Sequence, residues 1–106
     1  MPKFENKYNT SNIVITRKLH NFCTIGQDSF TNNLEIEIVP DRVIPDYIEV
    51  DNMIERYEDL EVVIEEVIYK ILESIKTEYD PKYIRVTSYV DDAKHSAVEV
   101  TSEYTK

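Results

Sequence analysis

The chain has no tryptophan, one cysteine, one glycine and two histidines in 106 residues, and each scarcity narrows what it can be. A single cysteine, Cys23, cannot form an intramolecular disulfide, so a hydrophobic core must hold the fold, and a reducing compartment is expected. His20 and His95, even with Cys23, offer no compact ligand spacing for zinc, and no metal is expected. No apolar run is long enough to cross a bilayer, and no basic-then-apolar leader is present. No membrane partner is therefore expected, and the expected localisation is cytoplasmic. Dense basic stretches are missing as well: Arg17 and Lys18 stand as a pair, Lys70, Lys76 and Lys82 are scattered, and the formal net charge is −9. Adhesion to nucleic acid by counterion release needs clustered Lys and Arg, so a polynucleotide substrate would require a local patch that the sequence does not display.

What is present reads as a globular chain, with 42% hydrophobic and 31% charged residues, and the length suits one domain. Internal repeats and low-complexity stretches are lacking. Residues 1–10 are polar and are expected to form a flexible N-terminal segment, leaving residues 11–106 as the domain.

Ile13 and Ile15 alternate with Val14 and Thr16, which predicts a strand running to about Lys18. A second strand is predicted over 33–39, with Leu34, Ile36 and Ile38 on one face and Glu35 and Glu37 on the other. Pro40 ends it, and Asp51 is a candidate N-cap for a short helix carrying Met53, Ile54 and Tyr57. A longer helix is predicted from Leu60 to Glu78, capped by Asp59, because Leu60, Ile64, Val67, Ile68, Ile71, Leu72 and Ile75 recur at helical spacing. At about 100° per residue, Glu66 falls on its wet face, while Glu61 and Glu65 fall at the rim of the apolar stripe. Asp80-Pro81 closes the helix. Tyr83 to Val90 and Ala97 to Glu103 follow as strands joined through a turn at 91–94. The order is strand, strand, helix, helix, strand, strand: an α+β fold in which an antiparallel sheet carries two helices on one face and stays polar on the other.

Cys23 lies in Phe22-Cys23-Thr24-Ile25-Gly26-Gln27-Asp28-Ser29-Phe30, with a carboxylate five residues on. A lone cysteine is read first as a small buried hydrophobe. Ionised and accessible, it would be the chain's best nucleophile. Glu65 is read first as a solvated helix residue, and alternatively as a rim carboxylate reaching into a pocket. His20 reads as a loop residue or as a base for Cys23, and His95 as a hairpin-end residue.

Taken together, the ordered motifs resemble those of the QueF nitrile reductases and their short QueF-like relatives, over roughly Ile13 to Tyr104. Cys23 falls at the family's nucleophile, with Gly26-Gln27 and Phe30 similar to the segment after it. Leu34 to Pro40 looks like the family strand ending in Ile/Val-Pro. Val63-Ile64-Glu65-Glu66 matches a segment usually ending His-Glu-Glu or His-Glu-Asp, and Asp80-Pro81-Lys82-Tyr83-Ile84-Arg85-Val86 resembles Asp-Pro-Arg-Tyr-Ile-Glu-Val. The resemblance implies the tunnelling fold and a covalent thioimide between Cys23 and the nitrile carbon of 7-cyano-7-deazaguanine. It also implies an acid, here Asp28, to protonate the nitrogen, and a carboxylate, here Glu65, to accept the amino and ring N–H groups of the base.

Three departures from the family pattern bear on the reaction. Phe30 stands at the seven-residue spacing where the family has its aspartate. Ile64 replaces the histidine before the glutamate. The lysine-rich segment that binds NADPH in the reductases has no counterpart in Glu49-Val50-Asp51-Asn52-Met53-Ile54-Glu55-Arg56. Two outcomes stay open for the thioimide: reduction by NADPH to the aminomethyl product of queuosine synthesis, or ammonia addition, without a cofactor, to an archaeosine-type amidine. The 7-deazaguanine substrate could be a free base or borne by tRNA or DNA, and the acidic charge suits a free base better. A non-catalytic tunnelling-fold relative that binds a purine or pterin, or acts in assembly, is the alternative. By the same resemblance the chain is expected to form a homo-oligomeric barrel, joined at its sheet edges, with sites between subunits to which Cys23 and Glu65 could come from different chains.

Overall fold

Alternation in the longest strands decides which side of the sheet is covered. Leu34, Ile36 and Ile38 are buried, while Glu35 between them is exposed, as a half-covered strand requires. The computed structural model describes residues 4–26 and 28–106, so Met1 to Lys3 of the polar leader and Gln27 lie outside the described residues. Along the described residues the elements run β1 (Phe4–Glu5), β2 (Ile13–Cys23), β3 (Ser29–Val39), β4 (Val43–Ile44), α1 (Tyr47–Glu55), β5 (Glu61–Val62), α2 (Ile64–Tyr79), β6 (Tyr83–Val90) and β7 (Val98–Thr105). The main sheet has the order β5-β2-β3-β6-β7. Its pairs are antiparallel except for β5, which lies parallel to the end of β2. The principal elements therefore keep the predicted order of two strands, two helices and two strands. Phe4–Glu5, within the leader expected to be loose, pairs with Val43–Ile44.

Both helices begin elsewhere than the sequence suggests. α1 is capped by Asp46, whose side chain accepts from the Ile48 N–H at 2.9 Å. Asp51 sits inside the helix and, with Glu55, pairs with Arg17 of β2. α2 starts at Ile64 rather than Leu60, with Val63 as an N-cap that makes no side-chain capping bond. Asp59 does not cap it. Its backbone is left-handed at φ 60, its N–H donates to the His20 carbonyl at 2.8 Å, and its carboxylate meets His20 Nδ1 at 2.7 Å. Those bonds hold the chain alongside β2, so Glu61 is a strand residue rather than a helical one. At the other end Asp80 adopts the left-handed C-cap at φ 45 ahead of Pro81, which cannot continue a helix.

The core lies between the helices and the inner face of the sheet. Val67, Ile68, Ile71, Leu72 and Ile75 of α2 and Val50, Met53 and Ile54 of α1 pack with Leu19, Leu34, Ile36, Ile38, Ile84 and Val86. Three polar residues share this layer, Asn21, Asn32 and Ser88, all with 0% exposure. They form a chain across three strands: Ser88 Oγ donates to Asn32 Oδ1 at 2.7 Å, and Asn32 Nδ2 to Asn21 Oδ1 at 2.7 Å. Asn21 Nδ2 in turn donates to the carbonyls of Tyr57 and Leu60. These asparagines also explain why β2 and β3 outrun the predicted strands. Inward positions 21 and 32 are polar, which breaks the apolar alternation beyond Leu19 in β2 and before Leu34 in β3.

The outer face remains polar, as expected. Arg85 pairs with Glu37 at 3.0 Å, and Thr87 and Thr101 exchange a hydroxyl hydrogen bond at 3.0 Å.

Replacing the middle of the buried chain, Asn32→Leu, leaves the Asn21 carbonyl oxygen and the Ser88 hydroxyl without their partner. The expected loss is roughly 1–3 kcal/mol for each orphaned group, read as a lower urea midpoint. An unchanged midpoint would mean the chain contributes nothing to stability.

Candidate active site

Strand order brings together segments that are far apart in sequence. Because β3 and β6 are antiparallel neighbours, the β2–β3 turn and the β6–β7 turn emerge at the same end of the sheet. Because β5 runs parallel to the end of β2, with Cys23 opposite Val62, the start of α2 arrives there too. A pocket of about 270 Å³ lies where the three meet. Its wall carries Cys23 and Asp28 from the first turn, Val62 to Glu65 from the β5–α2 junction, and Lys94 and His95 from the last turn.

Cys23 is half-buried at the end of β2, and its N–H donates to the Asp28 carbonyl at 2.8 Å, closing the hairpin. Gly26 makes room within that turn: a Cβ there would stand 3.0 Å from Asp28 Oδ2. The side chain of Asp28 meets Lys94 Nζ at 3.3 Å, an exposed pair that links the two turns. A second link is firmer in geometry, with Asp92 Oδ1 accepting from the Thr31 N–H at 2.9 Å. That bond holds the Asp92 carboxyl below its ordinary value of 3.8. His95 Nδ1 lies 2.7 Å from the Ser96 carbonyl oxygen. Glu65 stands in the first turn of α2 and lines the same pocket.

The three site residues expected from sequence, Cys23, Asp28 and Glu65, thus line one pocket of a single chain. Gln27, part of the motif after the cysteine, lies outside the described residues. His20 is not brought to the pocket. It alternates away from Cys23 along β2, packs edge-on against Phe22 with ring centroids 5.2 Å apart, and pairs with Asp59. Sequence reasoning placed His95 at a hairpin end but missed that the hairpin end is a pocket wall. Strand order was the missing signal, since the β6–β7 turn meets Cys23 only if β6 neighbours β3. No group of His, Cys, Asp and Glu among the described residues is arranged to hold a metal ion. No described helix is long and apolar enough to cross a membrane. A second hollow of about 480 Å³ on the polar sheet face, lined by residues such as Lys18, Glu35, Tyr89 and Glu99, carries neither thiol nor imidazole.

A carboxyl whose folded-state value is lowered stabilises the fold above its unfolded value, and that contribution disappears as pH falls through the folded value. Asp92→Ala is therefore expected to lower Tm at neutral pH, with the gap from wild type closing as pH falls through the lowered folded-state value, below 3.8. Melting curves across the acid range check this, and a gap that widened in acid would contradict the assigned bond.

No protein-family model matches the sequence, and no curated protein matches it significantly. Solved structures do match. The archaeosine synthase QueF-Like in its apo form superposes with a TM-score of 0.82 at 23% identity, covering 89% of this chain and 93% of that one. Dihydroneopterin aldolase from E. coli, in complex with neopterin, gives 0.69 at 12% identity over 90% and 99% of the two chains. The aldolase from Burkholderia thailendensis, bound to guanine, gives 0.60 at 16% over 92% and 93%. Near-complete coverage in both directions means that the whole architecture is shared rather than one motif of it, and the chain has the tunnelling fold.

Proposed function

We propose that the chain is an enzyme of 7-deazaguanine chemistry that captures the nitrile of 7-cyano-7-deazaguanine as a thioimide on Cys23. The observation that carries this reading is the pocket that brings Cys23 and Asp28 of the β2–β3 turn together with Glu65 of α2, the three residues to which the family resemblance gives roles. The shared architecture with an archaeosine synthase supports it.

In the proposed step the sulfur of ionised Cys23 forms a bond to the nitrile carbon, and one π pair of the C≡N bond moves to nitrogen. Asp28 gives that nitrogen a proton, leaving a neutral thioimide. Glu65, which lines the pocket, accepts the amino and ring N–H groups of the base and orients the nitrile toward sulfur. Charge-assisted hydrogen bonds of this kind are strong and directional. Half-burial of Cys23 gives the nucleophile both a wall and an opening.

Ammonia addition is the second half we favour. Ammonia attacks the thioimide carbon, the C–S bond breaks to return the thiolate, and the product leaves as the amidine in its protonated, amidinium form. NADPH fits the residues present poorly. The corresponding segment, over α1 and its C-cap, sets Glu49, Asp51 and Glu55 against the single Arg56, and the nearby Arg17 is already paired with Asp51 and Glu55, so a 2′-phosphate would meet mostly carboxylates. The net charge of −9 favours a free base over a polynucleotide-borne one. In this reading the protein works in the cytoplasm as a homo-oligomer, with the outer edges of β2 and β7 as the joining strands.

A second reading, a purine- or pterin-binding protein without covalent chemistry, is favoured by the aldolase structures that hold guanine and neopterin. Intact-protein mass spectrometry separates the two. Incubation with 7-cyano-7-deazaguanine is expected to add one ligand mass to wild type and none to Cys23→Ala, and ammonium is expected to discharge the adduct where NADPH does not. Glu65→Ala is expected to slow adduct formation at least tenfold at limiting ligand, in keeping with the loss of a charged hydrogen-bond partner worth about 1.5–3 kcal/mol. Binding without a mass shift in folded wild type would favour the non-covalent reading.

A further inference from the structure

We infer that His95 is the proton acceptor for Cys23, a role that rests on the thioimide reading for its substrate but not for its geometry. Four observations converge on it. His95 lines the same pocket as the thiol. It is the one imidazole there, since His20 is turned to Asp59 and Phe22. Its ring is oriented: with the Ser96 carbonyl oxygen 2.7 Å from Nδ1, the neutral ring keeps its proton on Nδ1, because a carbonyl can only accept, and Nε2 is left with a lone pair. The turn that carries it is also fastened to the turn that carries Cys23, through Asp92 to the Thr31 N–H at 2.9 Å and Lys94 to Asp28 at 3.3 Å.

A thiol is a poor nucleophile until it loses its proton, and the remaining polar groups on the wall suit that task less well. Asp28 faces Lys94 and is assigned to the nitrogen. Lys94 is a cation that has no lone pair to offer while charged. Glu65 is assigned to the base. Ile64, beside it, contributes only hydrocarbon. His95 Nε2 takes the Cys23 proton as the C–S bond forms. The imidazolium passes a proton to the Asp28 carboxylate, which is paired with Lys94, and Asp28 hands it to the nitrile nitrogen. One proton has moved from sulfur to nitrogen, no electrons are gained or lost, and both residues are reset.

The test compares wild type with His95→Ala by the rate of adduct formation with 7-cyano-7-deazaguanine and, separately, by the rate of Cys23 alkylation with iodoacetamide. Each rate is measured with and without added imidazole. Loss of a general base is expected to slow the adduct about a hundredfold and to slow alkylation in the same direction, and free imidazole is expected to restore both rates. A slower variant that imidazole does not rescue would assign His95 a structural role and overturn the inference. Equal rates in the two proteins would overturn it as well. If wild type forms no adduct, the thioimide reading fails while the alkylation comparison, which needs no substrate, still decides the role of His95.

Discussion

Three polar side chains buried side by side under two helices are tolerable only if each donor and acceptor is met, because an unmet one costs about 1–3 kcal/mol. The chain from Ser88 through Asn32 to Asn21 meets this condition in one arrangement. A one-residue slip between β2 and β3 would turn an asparagine to the outer face and an outward side chain into the core. Apolar packing favours this register as well, but hydrocarbon can adjust by small shifts where a 2.7 Å hydrogen bond cannot. At the far end of the chain, Asn21 holds the carbonyls of Tyr57 and Leu60. The stretch from α1 to β5, and with it the start of α2, is therefore placed by the same polar network that sets the sheet.

This dependence links core and site. Cys23 lies two residues beyond Asn21 on the same face of β2, and Glu65 lies five residues beyond Leu60. Two of the three segments that line the pocket are thus measured from one buried amide. The groups that line the pocket nevertheless sit at a strand end, on turns and at a helix start rather than in strand interiors. A rigid layer thus positions variable ends, the common arrangement for binding and catalytic residues.

The sequence was informative where one physical effect acted alone. Leu34, Ile36 and Ile38 alternate with Glu35 and Glu37 because burial on one face and water on the other is the only constraint there. α2 repeats its apolar residues at 3.6 spacing for the same reason. Reading failed where two effects competed. Leu60 fits the helical repeat of α2 by coincidence, yet Asp59 and Glu61 are held against β2 by backbone hydrogen bonds that leave no mark on periodicity. Asn21 and Asn32 look like outward residues although they are fully buried. Asp51 looks like a cap, but the side chain that accepts from α1 is Asp46, next to Pro45. Cys23, Asp28 and Glu65 could be nominated from residue type, spacing and resemblance. His95 could not, since its relevance depends on which strand neighbours β3.

The pocket draws on residues 23–25, 28–30, 62–65 and 93–95, so no local stretch of chain contains it. Its walls come together only when β6 has docked on β3 and the last hairpin has formed, and closing such long loops is the slow part of folding for a sheet of this kind. On a ribosome, Cys23 emerges well before the turn that carries Lys94 and His95. The thiol consequently passes through synthesis and early collapse without its surrounding groups, and gains them only in the finished domain. Reactivity that depends on that wall is timed by topology, arriving with the completed fold.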